Sequence, residues 1–220
     1  MNSLNILYED NHVIVVEKPI NVLSQSDITH DMDLLTMVKN YIREKYNKPG
    51  NVYIGLVHRL DRPVGGVMVF AKTSKAAQRL SKQIIDGQFE KKYLAVIEGL
   101  LPNDLGDYCD RLLKLSNGNT IVDSKGKESF LSYRVLEKNY RTNQTLVEIS
   151  LKTGRHHQIR VQFASRGFPL CGDKRYGFQK GNTQLALFAY QLSFFHPVTK
   201  ELLEFQITPP KKEPWTQFTL

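Results

Sequence analysis

The segment His58–Gly66 constrains this chain more than any other, because it sets a carboxylate between two arginines inside an apolar context. Asp61 lies between Arg59 and Arg62 in a turn that contains proline and glycine. The apolar residues on both sides are typical of strands that enter a core; they are Val52, Ile54, Leu56 and Val57 before the turn and Val67, Val69 and Phe70 after it. A carboxylate where two buried elements meet must be paired, or it must take part in chemistry.

The charge balance indicates a polyanionic partner. The 220 residues include 30 Lys and Arg against 22 Asp and Glu, which gives a formal net charge of +8. This excess is spread along the chain, so we expect nucleic acid ahead of a membrane as the partner. The plain alternative is a basic enzyme with no polyanionic ligand. A hydrophobic content of 41% is enough for the core of one ordinary domain.

Cysteine usage and the N-terminus predict a cytoplasmic protein. Cys109 and Cys171 are far apart, so neither a disulfide framework nor a zinc site is indicated, and reduced cytosol fits best. The first eight residues lack the basic and apolar regions of a signal peptide. No apolar run approaches the roughly 18 residues that a membrane span requires.

Hydrophobic periodicity predicts an α+β fold with a mixed, mostly antiparallel sheet and flanking helices. One helix is expected from a cap at Asp31 or Asp33 to the break at 48–50, and a second from Ser74 to near Gly87. A mobile excursion is expected over 115–128. Strands are expected at 6–8, 13–16, 67–72, 93–97, 130–136, 145–151, 185–195 and 202–207.

Ordered motifs give the chain a resemblance to a known family, the RluA-type pseudouridine synthases. Their core pattern is His-Arg-Leu-Asp, two variable residues, then Thr-Ser-Gly, which His58 to Asp61 and Gly66 match. The other matching segments are Tyr8-Glu9-Asp10 with Lys18-Pro19, Lys92-Tyr93-Leu94-Ala95, Thr153 to Val161, Pro169 to Asp173, and Tyr176-Gly177. Val64 and Gly65 stand where Thr and Ser are usual, and His156 stands where Thr is usual.

The resemblance implies one catalytic domain over residues 1–220, with a central active-site cleft and no separate S4-like RNA-binding domain. It implies a pseudouridine synthase that acts on structured RNA, either ribosomal or transfer RNA. Because the reaction breaks the bond from N1 to C1′ and rejoins uracil through C5, nothing is oxidised and no cofactor is needed. We expect no metal, no membrane, no obligatory protein partner, and a monomer.

Asp61 is the expected catalytic carboxylate, either as a nucleophile or as a base that takes the C2′ proton. It must be ionised, and burial favours the neutral acid, so a nearby guanidinium is needed; Arg160 is the expected partner. The alternative is a purely structural ion pair of these two residues. Tyr93 would stack on uracil, which is worth about 1 to 3 kcal/mol per base, or would be an ordinary core tyrosine.

The remaining expected site residues contact RNA. Arg59 would fill the gap left by a flipped nucleotide, or would bind a phosphate as a surface arginine. We expect a short helix to begin at 153–155 and end at 165 or 166, with amides open to phosphate and Arg160 pointing inward. His156 and His157 are not expected to bind metal, because adjacent helical residues face different directions. The expected RNA-binding set is Arg59, Arg62, Arg155, Lys92 and His157.

Two rival functions stay open at this stage. One is a non-catalytic RNA-binding or ribosome-assembly factor that retains the pocket. The other is a glycosidase-like hydrolase that uses Asp61, although the motifs supply no second carboxylate across the bond. The sequence does not identify the RNA or the modified uridine.

Overall fold

The structure, a computed structural model, describes residues 4–29, 31–178 and 183–220. The chain forms two compact units, Met1–Glu90 with Gln191–Ile207 and Lys91–Tyr190 with Thr208–Leu220. None of the helices within the described ranges is long and apolar enough to span a bilayer. The elements in chain order are β1 (Ile6–Glu9), β2 (Val13–Lys18), α1 (Leu34–Lys45), β3 (Gly55–Leu56), β4 (Gly65–Ala71), α2 (Ser74–Ile85), β5 (Glu90–Glu98), β6 (Leu105–Lys114), β7 (Thr120–Val122), β8 (Lys127–Asn139), β9 (Gln144–Leu151), α3 (Gln158–Ala164), β10 (Leu187–Phe195), β11 (Leu202–Gln206) and a 3₁₀ turn (Trp215–Gln217).

Antiparallel pairs build the sheet of the first unit. β1 pairs with β2, and β2 pairs with β4; β3 also pairs with β4, and residues 191–195 of β10 pair with β11. Asp10 closes the first turn, since its Oδ1 accepts hydrogen bonds from the amides of His12 and Val13, both at 2.7 Å. The strands predicted at 6–8 and 13–16, and at 185–195 and 202–207, are confirmed, and each pair forms a hairpin.

Capping residues set the starts of both helices in this unit. Asp33 is buried and caps α1, with Oδ1 accepting from the Thr36 amide at 3.0 Å and Oδ2 from the Thr36 hydroxyl at 2.7 Å. Thr73 caps α2 by accepting from the Ala76 amide at 3.2 Å. Asp33 is therefore the cap among the two aspartates that the sequence offered.

The core of the first unit lies between the strands and α2. Val15, Val69, Leu80 and Phe194 are 0% exposed in one apolar cluster, and Phe89 joins them. Leu80 comes from α2, whereas the valines come from paired positions of β2 and β4. Burial of one such side chain contributes about 1.5 to 3 kcal/mol, so this cluster fixes β4, the strand that follows the Asp61 turn.

The second unit is an antiparallel sheet in the order β5, β9, β8, β6, β7. Phe163 of α3 is 0% exposed and packs against Tyr108 of β6 and Tyr133 of β8, with ring centroids 5.0 and 5.5 Å away. On the same helix, the Gln162 amide donates to Asp110 at 2.8 Å. These contacts hold α3 on the sheet.

The sequence analysis missed β6 and placed the start of the third helix wrongly. β6 carries Asp107 and Asp110 and shows little apolar alternation, but it forms because it pairs along its length with β8 and lies under Phe163. The predicted excursion over 115–128 contains β7, which pairs with β6. The third helix begins at Gln158, not at 153–155.

We predict that Leu80→Ala lowers the free energy of unfolding by about 2 to 5 kcal/mol, because it opens a cavity in a fully buried cluster. Urea denaturation measures the change. The control is Gln78→Ala on the exposed face of the same helix, which should stay within about 0.5 kcal/mol of the wild type. Equal losses in both variants would contradict the assignment of this core.

Candidate active site

Backbone hydrogen bonds fix the turn that carries Asp61. The hydroxyl of Ser24 donates to the carbonyl of Leu60 at 2.7 Å and accepts from the amide of Leu60 at 3.1 Å. On the other side, the Val64 amide donates to the Asp61 carbonyl at 3.0 Å. Gly66 follows with a φ of 137°, a backbone conformation that residues other than glycine rarely adopt. These bonds hold the main chain on both sides of Asp61, and so they fix the point from which its side chain projects.

Lys18 is a functional candidate that the sequence analysis did not single out. It is 0% exposed, and its Nζ donates to the carbonyls of Pro19, Val22 and Arg62 at 3.0, 2.5 and 3.1 Å. Burial lowers the pKa of Lys18 to about 7, while the charge of Asp61 acts in the opposite direction and that of Arg62 adds to the lowering. Lys18 thus ties β2 to the residue after Asp61 and contributes to the field at the carboxylate.

The arginines on either side of Asp61 have different environments. Arg62 donates from Nε to the Asn21 carbonyl at 3.2 Å, and its Nη2 lies 2.7 Å from Asp31 Oδ2, with both side chains about half exposed. Arg59 is exposed. His58 accepts from the Val69 amide at 3.1 Å and lies edge-on to Phe89, so it packs the turn against β4 and its neighbours.

Strand alternation separates the two lysines next to Tyr93. Tyr93 is 6% exposed and pairs with Ile149 of β9. Successive side chains of a strand point to opposite faces, so Lys91 shares the face of Tyr93, whereas Lys92 lies on the other face. Burial lowers the pKa of Lys91, and its Nζ is 3.5 Å from where a Cβ of Gly154 would stand. Lys92 stays a predicted RNA contact, but Lys91 is the lysine that accompanies Tyr93.

Arg160 is held by a buried carboxylate. It is 6% exposed, and its Nε and Nη2 donate to Asp173 Oδ2 and Oδ1, both at 2.7 Å. Asp173 also accepts from the amides of Arg175 and Tyr176 at 3.0 and 3.1 Å. Burial alone would raise the pKa of Asp173, but the bonds and charge of Arg160, with these two amides, bring it below its ordinary value.

The Asp173 pair leaves the predicted role of Arg160 open. A guanidinium has five N–H donors, and three of them take no part in the bidentate pair with Asp173. Asp61 lies in the first unit and Arg160 in the second, so the pairing of these two stays a prediction. Asp173 was recognised in the sequence only as part of a motif. Its role could have been suspected from an acidic residue inside an apolar, glycine-containing segment.

A hydrogen-bonded loop precedes α3 and explains why the helix begins late. Gln158 Oε1 accepts from the Thr153 hydroxyl at 2.8 Å and from the Arg155 amide at 3.0 Å, and its Nε2 donates to the Phe130 carbonyl at 3.1 Å. His157 then has a φ of 52°, which is incompatible with a continuous helix. Arg155 is exposed and donates from Nε to the Glu128 carbonyl at 2.9 Å.

His157 is an uncharged member of this loop at neutral pH. Burial lowers its pKa to about 3, with the charges of Arg160, His156 and Arg175 adding to the effect and Asp173 opposing it. Its Nδ1 lies 2.8 Å from the hydroxyl of Tyr176. Any contact of His157 with RNA would therefore be that of a neutral ring. Tyr176 also lies under the Arg160 guanidinium, 5.1 Å from ring centre to Cζ.

A cavity of about 560 Å³ in the second unit contains none of the predicted site residues. Its lining includes Glu98, Gln144, Cys171 and Glu213. Glu98 follows Tyr93 by five residues on β5, so the two are about 16 Å apart along the strand. Burial raises the pKa of both Glu98 and Cys171.

Comparison with known proteins identifies the class. The model of the RNA pseudouridylate synthase family matches residues 12–165, which include Asp61, Tyr93 and Arg160. An RNA pseudouridine synthase of Aquifex aeolicus, described as uncharacterized, is 34% identical over 94% of this chain and 70% of that protein. Ribosomal large subunit pseudouridine synthase C of Buchnera aphidicola is 36% identical over 89% of this chain and 64% of that protein.

Solved structures agree on the fold. Human RNA pseudouridylate synthase domain containing 4 superposes with a TM-score of 0.79 at 21% identity, covering 94% of this chain and 89% of that one. Human RNA pseudouridylate synthase domain containing 1 gives 0.75 at 23% identity, covering 95% and 84%. These α+β domains confirm the predicted fold class.

This chain belongs to the RNA pseudouridylate synthase family, whose enzymes are isomerases of uridine in RNA. Relatives named ribosomal large subunit pseudouridine synthase C and D confirm the RluA-type resemblance within it. The chain spans 64 to 70% of the length of the relatives described above.

Lys18 predicts a pH dependence of stability. Its pKa is about 7 in the folded protein and 10.5 as the ordinary value, so the unfolded chain binds more protons between these two pH values. The free energy of unfolding should therefore rise with pH across this window by up to about 1.4 kcal/mol per pH unit, and Lys18→Met should remove the rise. Urea titrations from pH 6 to about 10.5 measure it, with the exposed Lys75→Met as control. Identical slopes in wild type and Lys18→Met would contradict the burial of this amine.

We predict that Asp173→Asn lowers the free energy of unfolding at pH 7 by about 3 to 5 kcal/mol, because the buried Arg160 loses its anionic partner. The stabilisation is present above the ordinary carboxyl pKa of 3.8 and is lost as pH falls through the lower folded-state value. Asp86→Asn, which breaks an exposed pair with Lys82, should change stability by less than about 0.5 kcal/mol. Similar losses for both variants would contradict the prediction that the buried pair of Asp173 and Arg160 stabilises the fold more than an exposed pair does.

Proposed function

We propose that this chain isomerises a specific uridine of structured RNA to pseudouridine, with Asp61 as the catalytic carboxylate. The observation that carries the proposal is the family match over 12–165, which contains Asp61, Tyr93 and Arg160 together. Each of these residues stands on a fixed part of its own unit: Asp61 in a clamped turn, Tyr93 on β5 and Arg160 on α3. Fixed supports favour catalysis, which needs reacting groups held in place.

The reaction balances without a further reactant. The N1–C1′ bond breaks, a C5–C1′ bond forms, and the proton lost from C5 is matched by the proton gained at N1. Asp61 starts the reaction as the anion, either by attacking the ribose or the uracil ring or by taking the C2′ proton. Tyr93 provides an aromatic surface for the uracil and a hydroxyl for proton transfer at C5. Arg160 provides the positive charge that keeps a carboxylate ionised.

The target nucleotide must leave its helix before Asp61 can reach its ribose, which costs a few kcal/mol of stacking. Arg59 is exposed and lies two residues before Asp61, so it is suited to enter the gap in the RNA. Arg62, Arg155, Lys92 and His157 are proposed to contact the RNA around it. The formal net charge of +8 supports a polyanionic substrate.

Ribosomal RNA is the substrate that the comparisons favour over transfer RNA, because relatives at 31 to 36% identity carry the name ribosomal large subunit pseudouridine synthase. We also propose a cytoplasmic location, which the free thiols of Cys109 and Cys171 support. We propose action as a monomer without an obligatory protein partner. The target is found by mapping pseudouridines in RNA from cells with and without this chain.

We predict that Asp61→Asn lowers the rate of tritium release from RNA labelled at uracil C5 by at least about 10²- to 10⁴-fold, while RNA binding and folding are retained. The amide has nearly the shape of the carboxylate but can neither attack nor accept the proton. Asp86→Asn is the matched control and should react at the wild-type rate.

Wild-type activity in Asp61→Asn would contradict the assignment of Asp61. Tight RNA binding by the wild type without any isomerisation of total cellular RNA would favour the rival function, a non-catalytic RNA-binding factor.

A further inference from the structure

A closed network of side chains joins the β6–β7 hairpin (Leu105–Val122) to the loop before α3. Thr120, the first residue of β7, is 2% exposed; its Oγ1 lies 2.8 Å from His156 Nδ1, and its amide donates to the hydroxyl of Tyr176 at 2.9 Å. The same hydroxyl lies 2.8 Å from His157 Nδ1. The rings of His156 and His157 stack with centroids 3.7 Å apart. One buried threonine therefore holds both histidines of the loop.

The neutral state of His157 is compatible with one consistent arrangement of these hydrogen bonds. Its pKa of about 3 leaves the ring neutral at pH 7, so Nδ1 can accept a hydrogen bond. In the arrangement that uses every group once, the Tyr176 oxygen accepts from the Thr120 amide and its proton is donated to His157 Nδ1. Tyr176 also lies under Arg160, so the hairpin is connected to an expected catalytic residue within the same unit.

A second contact fixes the tip of the hairpin. Arg175, next to Tyr176, donates from Nη1 to the carbonyl of Gly118 at 2.7 Å. The tip is closed by bonds from the Leu115 amide to the Asn119 carbonyl at 2.8 Å and from the Gly118 amide to the Leu115 carbonyl at 3.1 Å. The hairpin is thus attached at two neighbouring points of its tip, Gly118 in the turn and Thr120 at the start of β7.

The surface around this hairpin is strongly basic. Eight exposed cations lie on the hairpin, on the chain that follows it, and on the two loops bonded to it, against four exposed or partly exposed acids, Asp107, Asp110, Asp123 and Glu128; the cations are Arg111, Lys114, Lys125, Lys127, Lys152, Arg155, Lys174 and Arg175. A surface of this charge is suited to the phosphates of a folded RNA.

We propose that His156 is a positioning residue that sets the β6–β7 hairpin and its basic surface against the RNA stem that flanks the target uridine. The proposal rests on the proposed function, and it adds a specificity element outside the catalytic residues. His156 itself touches neither the uridine nor the phosphates. It acts through Thr120, by holding the hairpin at a fixed distance from the loop that carries Arg155 and leads to Arg160.

The test compares two substitutions of His156, one that removes the hydrogen bond to Thr120 and one that can keep it. His156→Phe keeps an aromatic ring against His157 but removes the hydrogen bond, whereas His156→Asn places an amide atom near the position of Nδ1 and can restore it. Thr120→Val removes the same bond from the other side. KM and kcat are measured on a transcript of large-subunit ribosomal RNA and on a short unstructured oligonucleotide that contains the target uridine.

We expect His156→Phe and Thr120→Val to raise KM for the transcript by about five- to tenfold, the size of effect that loss of one hydrogen bond produces, with kcat and both constants for the oligonucleotide unchanged. His156→Asn should restore most of the KM. Unchanged KM in both His156→Phe and Thr120→Val would overturn the proposal, as would equal losses on transcript and oligonucleotide, which indicate damage to the catalytic loop itself.

Binding measured without catalysis separates this proposal from the proposed function. The plot of log K against log salt has a negative slope, and each lost phosphate contact reduces its steepness by about 0.9 for a duplex. His156→Phe should make the slope for the transcript less steep, as should a Lys125→Gln and Lys127→Gln double variant, whereas Asp61→Asn should not. If the wild type forms no pseudouridine, the proposed function fails, and the salt slopes still decide the role of the hairpin.

Discussion

The burial of Lys18 is the constraint on which the position of the turn that carries Asp61 depends. An ammonium removed from water has a large desolvation cost, which is offset only if its hydrogens are bonded. The acceptors here are the carbonyls of Pro19, Val22 and Arg62, so this amine is stable only while the chain around 18–22 and the turn at Arg62 stay in place. Ser24, two residues after Val22, holds Leu60 in a similar way, since its hydroxyl bonds both the carbonyl and the amide of Leu60. Asp61 is therefore set between two backbone positions that polar side chains hold from inside the first unit.

The buried cation of the second unit is an arginine, Arg160, whereas that of the first unit is Lys18. The two residue types differ in how their charge depends on pH. Burial brings the pKa of Lys18 to about 7, so the charge of a lysine in such a place depends on pH. An arginine stays charged under all ordinary conditions. Its bidentate bond to Asp173 fixes the plane of the Arg160 guanidinium, and the ring of Tyr176 lies against one side. A permanently cationic and rigid group suits the role proposed for Arg160, which is to keep a carboxylate ionised.

Local signals in the sequence were sufficient for the elements whose own residues determine them. Asp33 and Thr73 cap helices by bonds to residues three positions on, and Asp10 closes a hairpin in the same way, so their effect can be predicted from short segments. β6 could not be predicted, because β8 and Phe163 stabilise it from distant positions. The late start of α3 likewise follows from Gln158, whose side chain binds Phe130 across the sheet as well as Thr153 beside it.

The candidate site shows the same division between local and distant causes. Motif residues identified Asp61, Tyr93 and Arg160, but no short pattern pairs Arg160 with Asp173 or ties Lys18 to Arg62. The choice between Lys91 and Lys92 follows from strand alternation, because residues two apart share a face. Residues 93–97 of β5 are buried on both faces, so apolar alternation alone does not say towards which side Tyr93 and Lys91 point. Pairing with β9 fixes the register, with Tyr93 opposite Ile149 and Lys92 opposite Ser150, and a slip by one residue would turn Tyr93 and Lys91 together to the other face.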